Sequence, residues 1–369
     1  MPNVYIDADV ASGGTGEELD PYGGWTEAWA AEDGNIDPGE TWNFYFRGTT
    51  ADTITAPIVL NGWPTAGAGD VILNFLPWPG ADDGQYTGDA NYSTSHYRLE
   101  GALANNRALI EIEGDDETTD VRQVNIENLQ FTSSGTGSVA IGLMVEDGAS
   151  GAINIRGNRI KVTGGTNFAR AIRVAALTSA ISGEFVNNLI CYANNDNMSA
   201  FNLNDAAITL DIYNNTVVYS DASGGEDGVD DVSGVTTDIQ GNVFYAEGGT
   251  GFIELDIAGT ATIDYNAHVE AADRGANGTD VVQADFTSFG TGDADELTPA
   301  ASQTNNWATV GETNADNSKV PTVDIRGNAR NTGAGQNTAI GCFAAAGEGG
   351  SGGGIIPQVY HARHHNRAM

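Results

Sequence analysis

An asparagine returns at nearly fixed intervals through the middle of this 369-residue chain, and that return restricts the fold more than any other feature. Six segments, VNIENLQFT, INIRGNRIKV, GEFVNNLICY, LDIYNNTVVY, TDIQGNVFY and ATIDYNAHVE, carry Asn128, Asn158, Asn188, Asn215, Asn242 and Asn266. The intervals are 30, 30, 27, 27 and 24 residues. A bulky apolar residue stands three positions before five of them (Ile155, Phe185, Ile212, Ile239, Ile263), while Ile126 stands two before Asn128. A second ladder runs between these segments: VAIGLMV, RAIRVAA, SAFNLND, DGVDDVS and GFIELDI, led by Ile141, Ile172, Phe201, Val229 and Ile253. Each period therefore carries two strand signals with two-residue alternation, and Gly, Asn, Asp and Ser fill the gaps as turns require.

A strand-only unit that repeats without hairpin signals predicts coils stacked in parallel, each burying its inward residues against the next. A fixed corner asparagine suits that plan. It tolerates the left-handed backbone, and its amide can hydrogen-bond the asparagine one rung away. A β-sandwich with regular strand spacing is the alternative, and it does not explain the corner.

Composition narrows the partners. With 50 Asp+Glu against 15 Lys+Arg the formal charge is −35, and only Lys161 and Lys319 are lysines, so the basic stripe of a nucleic-acid binder is missing. Cys191 and Cys342 are too few for a disulfide scaffold. No apolar run reaches membrane-spanning length, and the opening MPNVYIDADVASGG reads as no Sec-type signal.

The repeats resemble the right-handed parallel β-helix family of pectate lyases and phage tailspikes. VYIDADVASGGTGEELDPYGGWTEAWAA resembles that family's opening strand, Gly-rich loop and capping helix, with Trp25, Ala28 and Trp29 covering the open core. GETWNFYFRGTT (39–50) resembles the first-coil strand, and VDIRGNARNTGAGQNTAIGCFAA resembles a final rung through Gly327, Arg330, Ile340 and Gly341. The resemblance covers about residues 3–345 and implies an all-β solenoid with a short N-terminal capping helix. It says less about function, because the fold hosts lyases, hydrolases, adhesins and inert virion parts.

The expected organisation is a cap (1–38), a β-helix (39–345) with side loops at 77–98 and 271–318, a Gly-rich linker (346–354) and a tail (355–369). Residues 319–345 are expected to add the closing rung. The tail, IIPQVYHARHHNRAM, holds three of the five His, two Arg and no acid. That contrast with an acidic rod makes Ile355, Ile356, Val359, Tyr360, His361, Arg363, His364, His365 and Arg367 candidate partner-binding residues, the apolar ones by burial and the basic ones by pairing with acids.

Candidate chemistry is sparse. The pectate-lyase setting R-x-P-x-x-R does not occur, and Arg159-Ile160-Lys161 and Asp230-Asp231 match pectin-hydrolase blocks in the wrong order. Aligning the second ladder stacks Arg173, Asn202, Asp230 and Glu254 outward on successive rungs. With strands about 4.8 Å apart, Asp230 and Glu254 would bring two carboxyls to about 5 Å, near the separation of retaining glycosidases. These two and Arg173 are the candidate catalytic residues. The acidic run 221–231 offers Asp221, Glu226, Asp227, Asp230 and Asp231 as Ca²⁺ ligands, or simply a solvated loop, and no other cofactor is expected. Phe75, Trp78, Tyr86, Tyr92 and Tyr97 offer a sugar-stacking shelf, or the packing that holds a loop to its coil.

These readings favour a non-enzymatic virion protein, fixed to capsid or tail proteins by its C-terminal tail. The alternatives are a tailspike-type polysaccharide lyase or hydrolase, or an extracellular glycan-binding adhesin that meets host surface glycans. Tailspike relatives imply a homotrimer, although no heptad run supports one.

Overall fold

The computed structural model describes residues 1–37, 39–61, 71–80, 94–104, 106–113, 122–135, 139–146, 151–163, 168–175, 180–192, 198–219, 226–232, 234–246 and 253–268, with scattered positions from 275 to 342. The tail residues, the linker and most of the loops at 77–98 and 271–318 lie outside them.

Alternating apolar side chains and small polar turns build three parallel sheets, so the chain is a parallel β-helix. Sheet 1 has nine strands: Asn3–Asp7, Thr41–Arg47, Val71–Pro77, Arg122–Glu127, Gly151–Arg156, Ile181–Val186, Ile208–Tyr213, Thr236–Gln240 and Thr260–Asp264. Sheet 2 has eight: Ala51–Ile54, Arg98–Gly101, Gln130–Ser133, Arg159–Val162, Leu189–Tyr192, Thr216–Tyr219, Val243–Ala246 and Ala267–His268. Sheet 3 has seven: Ile58–Leu60, Ala108–Glu113, Val139–Glu146, Phe168–Ala175, Met198–Asn204, Glu226–Asp231 and Ile253–Ile257. A coil runs from sheet 1 to sheet 2, then to sheet 3 and back, and from Arg122 onward the corner between sheets 1 and 2 is two residues long, where the earlier coils have residues 48–50 and 78–97. The sequence suggested two strands per coil. The corner divides the first into two.

The corner corrects the placement of the asparagines. The left-handed residue is the one before the ladder: Gly157, Asn187, Asn214, Gly241 and Tyr265 have φ of 66°, 61°, 52°, 66° and 54°. Only Gly takes that conformation without steric cost, and Asn takes it more readily than other residues. The buried ladder consists of Asn158, Asn188, Asn215, Asn242 and Asn266. Each Oδ1 accepts from the backbone N–H one rung earlier, from Leu129 at 3.0 Å onto Asn158 and from Asn188 at 2.9 Å onto Asn215. Each Nδ2 donates to a carbonyl on the sheet 1 strand of the preceding rung, as Asn215 does to Phe185 O at 2.8 Å. Asn128 is not a member. Ile126 pairs with Ile155, so Asn128 falls in the left-handed slot at φ 55° and Leu129 takes the ladder position.

The N-terminal end is covered as expected. Helix Trp25–Glu32 buries Trp25, Ala28 and Trp29. Trp25 lies 4.6 Å from Phe46 and 4.8 Å from Phe75, ring centre to ring centre. The helix has no side-chain cap of its own. Asp52, on the first strand of sheet 2, instead accepts the Trp25 N–H and the Tyr97 hydroxyl, both at 2.7 Å.

Of the described C-terminal segment, Thr279 continues sheet 2 by a single parallel bridge to Ala267, its N–H donating to Asn266 O at 2.9 Å. The residues after it lie against the outside of sheet 2. Val281, Phe286, Ile325, Ile340 and Cys342 pack on Leu189, Cys191, Val218, Val243, Tyr245 and Ala267. Cys342 N–H donates to Thr216 Oγ1 at 3.0 Å, and Gly341 N–H donates to Gly241 O at 2.6 Å. Arg159, 1% exposed, donates from Nη2 to Ile325 O at 3.1 Å. Four-residue strands such as LICY and TVVY are buried on both faces because this strap covers them.

Candidate functional site on the outer face of sheet 3

The strands of sheet 3 do not alternate strictly. In Phe168–Ala175 both Ala171 and Ile172 are buried, so after the exposed Phe168 it is Arg170 and Arg173, three apart, that reach the surface. The neighbouring strands follow suit and produce two outward columns. One reads Ile141, Arg170, Ser199, Asp227, Glu254 and the other Glu111, Met144, Arg173, Asn202, Asp230, Asp256.

This register overturns one predicted pairing. Arg173, Asn202 and Asp230 do share a column, but Glu254 does not continue it. The pairing shifts between Asp227 and Val229, so Glu254 stands opposite Asp227 while Asp256 stands opposite Asp230. The second ladder is offset by two residues at both ends. Leu143, not Ile141, pairs with Ile172, and Leu255, not Ile253, pairs with Val229. Anchoring the last rung on the Val229–Leu255 match would have found Asp256 from the sequence.

Along the axis the face changes character. Ala108, Val139, Ile141 and Met144 form a small apolar cluster. The next rung presents Arg170, with its guanidinium 5.5 Å over the Phe168 ring, and Arg173, whose Nη1 lies 3.8 Å from Met144 Sδ. Then come Ser199 and Asn202, whose Nδ2 donates to Asp230 Oδ2 at 2.5 Å. Asp227 and Asp230 follow, with Asp256 exposed beyond them.

The electrostatics match this order. Burial, then the neighbouring Arg173, pulls Arg170 below the usual guanidinium range. Burial holds the Asp230 carboxyl above its ordinary value, opposed by the Asn202 hydrogen bond and by Arg170, while Asp256 adds to the rise. Asp231 is also raised by burial, and its Oδ1 accepts the Ala258 and Gly259 N–H groups at 2.7 and 2.8 Å.

The remaining predicted residues sort plainly. Among the described residues no group of three or more His, Cys, Asp or Glu is placed to hold a metal ion. Asp230 and Asp231 are engaged as stated, and Asp227 Oδ2 accepts from Ser199 Oγ at 3.4 Å. Asp221 and the Glu226 and Glu254 side chains lie outside the described residues, as do Tyr86, Tyr92 and every tail residue from Ile355 to Arg367. Phe75, Trp78 and Tyr97 form no shelf. All three are buried, and Trp78 lies beneath the Arg47 guanidinium at 4.0 Å. Among the described residues no helix is long and apolar enough to cross a membrane.

Comparison with known proteins adds little to this face. No family model matches the chain and no curated protein matches it. Among solved structures, that of pectate lyase Pel9A is similar at a TM-score of 0.38 and 12% identity, over 94% of this chain and 97% of that one. At that level the likeness carries nothing about the site.

Proposed function

We propose that the chain is a rigid, non-enzymatic module of a larger particle, a virion being the particle its sequence suggests, and that the outer face of sheet 3 binds glycans. The observation that supports the reading is the row Arg170, Arg173 and Asn202, held half-buried or buried on the flank of a stiff rod. The ordered strands on either side set its geometry before any ligand arrives, which lowers the ordering cost of binding. The acid-free tail 355–369 is the attachment element. A glycan array with the full chain should show binding without product formation, and removing residues 346–369 should abolish particle association while leaving folding intact. Decoration of particles by the truncated chain would refute the attachment.

A second reading, polysaccharide cleavage, is favoured by one observation. Asp230 and Asp256 face each other on adjacent rungs, one half-buried with a raised pKa and one exposed. Such a split suits an acid and a base. Product formation from a polysaccharide panel that disappears in both Asp230→Asn and Asp256→Asn would establish it, and activity surviving in the double variant would exclude this pair.

A further inference from the structure

From the unsatisfied atoms on this face we infer that Arg170 and Arg173 form an anion subsite, which takes a carboxylate or sulfate group carried by a saccharide, with Asn202 Oδ1 on the next rung as an acceptor for a saccharide hydroxyl. The inference deepens the glycan-binding reading and rests on it.

Three observations carry it. First, the Nε atoms of Arg170 and Arg173 and Oδ1 of Asn202 are buried atoms with no hydrogen-bond partner among the described residues. Asn202 is only 4% exposed, and its Nδ2 is already committed to Asp230. A buried donor left without a partner is costly, and two on one strand ask for an acceptor that the described protein does not supply. Second, the register puts no carboxylate directly opposite either arginine, and Asp230, two rungs away, acts on Arg170 without pairing with it. Their in-register neighbours are Ile141 and Ser199 for Arg170, and Met144 and Asn202 for Arg173. Elsewhere in this acidic chain arginines are paired: Arg47 with Asp7, Arg98 with Glu100, Arg107 with Glu111, and Arg156 with Glu127 and Glu184. Arg170 and Arg173 form no ion pair among the described residues. Third, two guanidinium groups side by side repel each other, which an oxyanion bridging them relieves.

The surroundings set the ligand class. A free small anion would need only the two arginines. Here the exposed Phe168 ring, 42% accessible, adjoins Arg170, and the Ser199 hydroxyl lies on the next rung. A ring face and a hydroxyl beside a cation pair suit a sugar that carries an acid. Asp227 and Asp230, one rung further on, repel a second negative charge close to the first. Saccharides whose acidic groups are separated by at least one neutral unit should therefore bind better than those charged at every unit.

The test is calorimetric titration of the full chain with three sets of oligosaccharides of equal length: neutral, uronate-containing and sulfated. The wild-type chain should bind at least one acidic set about tenfold or more tightly than the neutral set. Arg170→Gln and Arg173→Gln should each remove about tenfold of that preference, the scale of one charged hydrogen bond, and the double variant should remove it entirely. The relative affinities for uronate and sulfate identify the source of the anion. Unchanged melting of each variant separates lost binding from lost folding. Equal binding of neutral and acidic sets, or a preference that survives in the double variant, would overturn the anion subsite and leave the glycan reading standing. Binding of no set would overturn both.

Discussion

The corner between sheets 1 and 2 and the outer face of sheet 3 are built from the same coils, yet they differ in almost every respect. At the corner each rung repeats the last: a left-handed residue, then a buried asparagine whose amide is satisfied by the rungs around it. On sheet 3 no two adjacent rungs match. The face passes from apolar to cationic to acidic, its register shifts, and three buried polar atoms lack partners among the described residues. Uniform, satisfied repetition is what a scaffold needs. A row that departs from it while leaving donors open is where a ligand has something to gain.

Substitutions can break that contrast, starting from the corner. Asn215→Ala removes an acceptor for the Asn188 N–H and a donor to Phe185 O in a fully buried position. It should destabilise the chain by about 3 kcal/mol or more, since each buried group left unpaired costs on the order of 1–3 kcal/mol. Denaturant melting would measure it, and a loss under about 1 kcal/mol would mean that water or a shifted neighbour replaces the ladder. The strap should come next. Phe286 packs 5.3 Å from Tyr245, and Phe286→Ala should cost about 2–3 kcal/mol and expose the outer face of sheet 2 to a hydrophobic dye.

A smaller effect is expected at the cap. Burial raises the Asp52 carboxyl above its usual range near 4, so the folded chain keeps a proton that the unfolded chain has released. The stability contributed by this group is largest below the unfolded pKa and is lost as pH rises through the folded value. Asp52→Asn should flatten that fall in a pH series of melting curves. Smallest of all, Arg170→Gln with Arg173→Gln should shift stability by no more than about 0.5 kcal/mol, because neither forms an ion pair whose loss would be felt. A large loss would mark the arginines as part of the scaffold and erase the distinction between the two regions.

The scaffold was far more legible in the sequence than the site. Identical inward residues at constant spacing reveal a solenoid without coordinates, and Trp25, Ala28 and Trp29 announce the cap. Outward residues repeat less faithfully, and matching Val229 to Ile253 instead of Leu255 displaced the last rung by two, exchanging Asp256 for Glu254. A second asparagine ladder is hidden in the sequence. Asn43, Asn74, Asn125 and Asn154 each donate from Nδ2 to the preceding rung, beginning at Asn3, on the outer face of sheet 1. Loops of unequal length separate these residues by 40, 31, 51 and 29 positions, which hides the period. The strap did leave a signal. LICY, TVVY and VFYA fail to alternate, as strands covered on both faces do.

The two-residue corner has a consequence for how such a chain can change. From Asn158 to Asn266 the coils shorten from 30 residues to 24. The sheet 1 strand, the corner and the four-residue sheet 2 strand keep nearly the same length throughout. The long insertion at this corner, residues 78–97, lies in a coil before the ladder begins; within the ladder an insertion would displace an amide from its column and disturb every rung it touches. Over these coils the variation falls on sheet 3, whose strand shortens from eight residues to five, and on the connection back to sheet 1, which shortens from five to two. New loops can be gained or lost there without cost to the column, so diversity should accumulate around the one face that carries the open arginines.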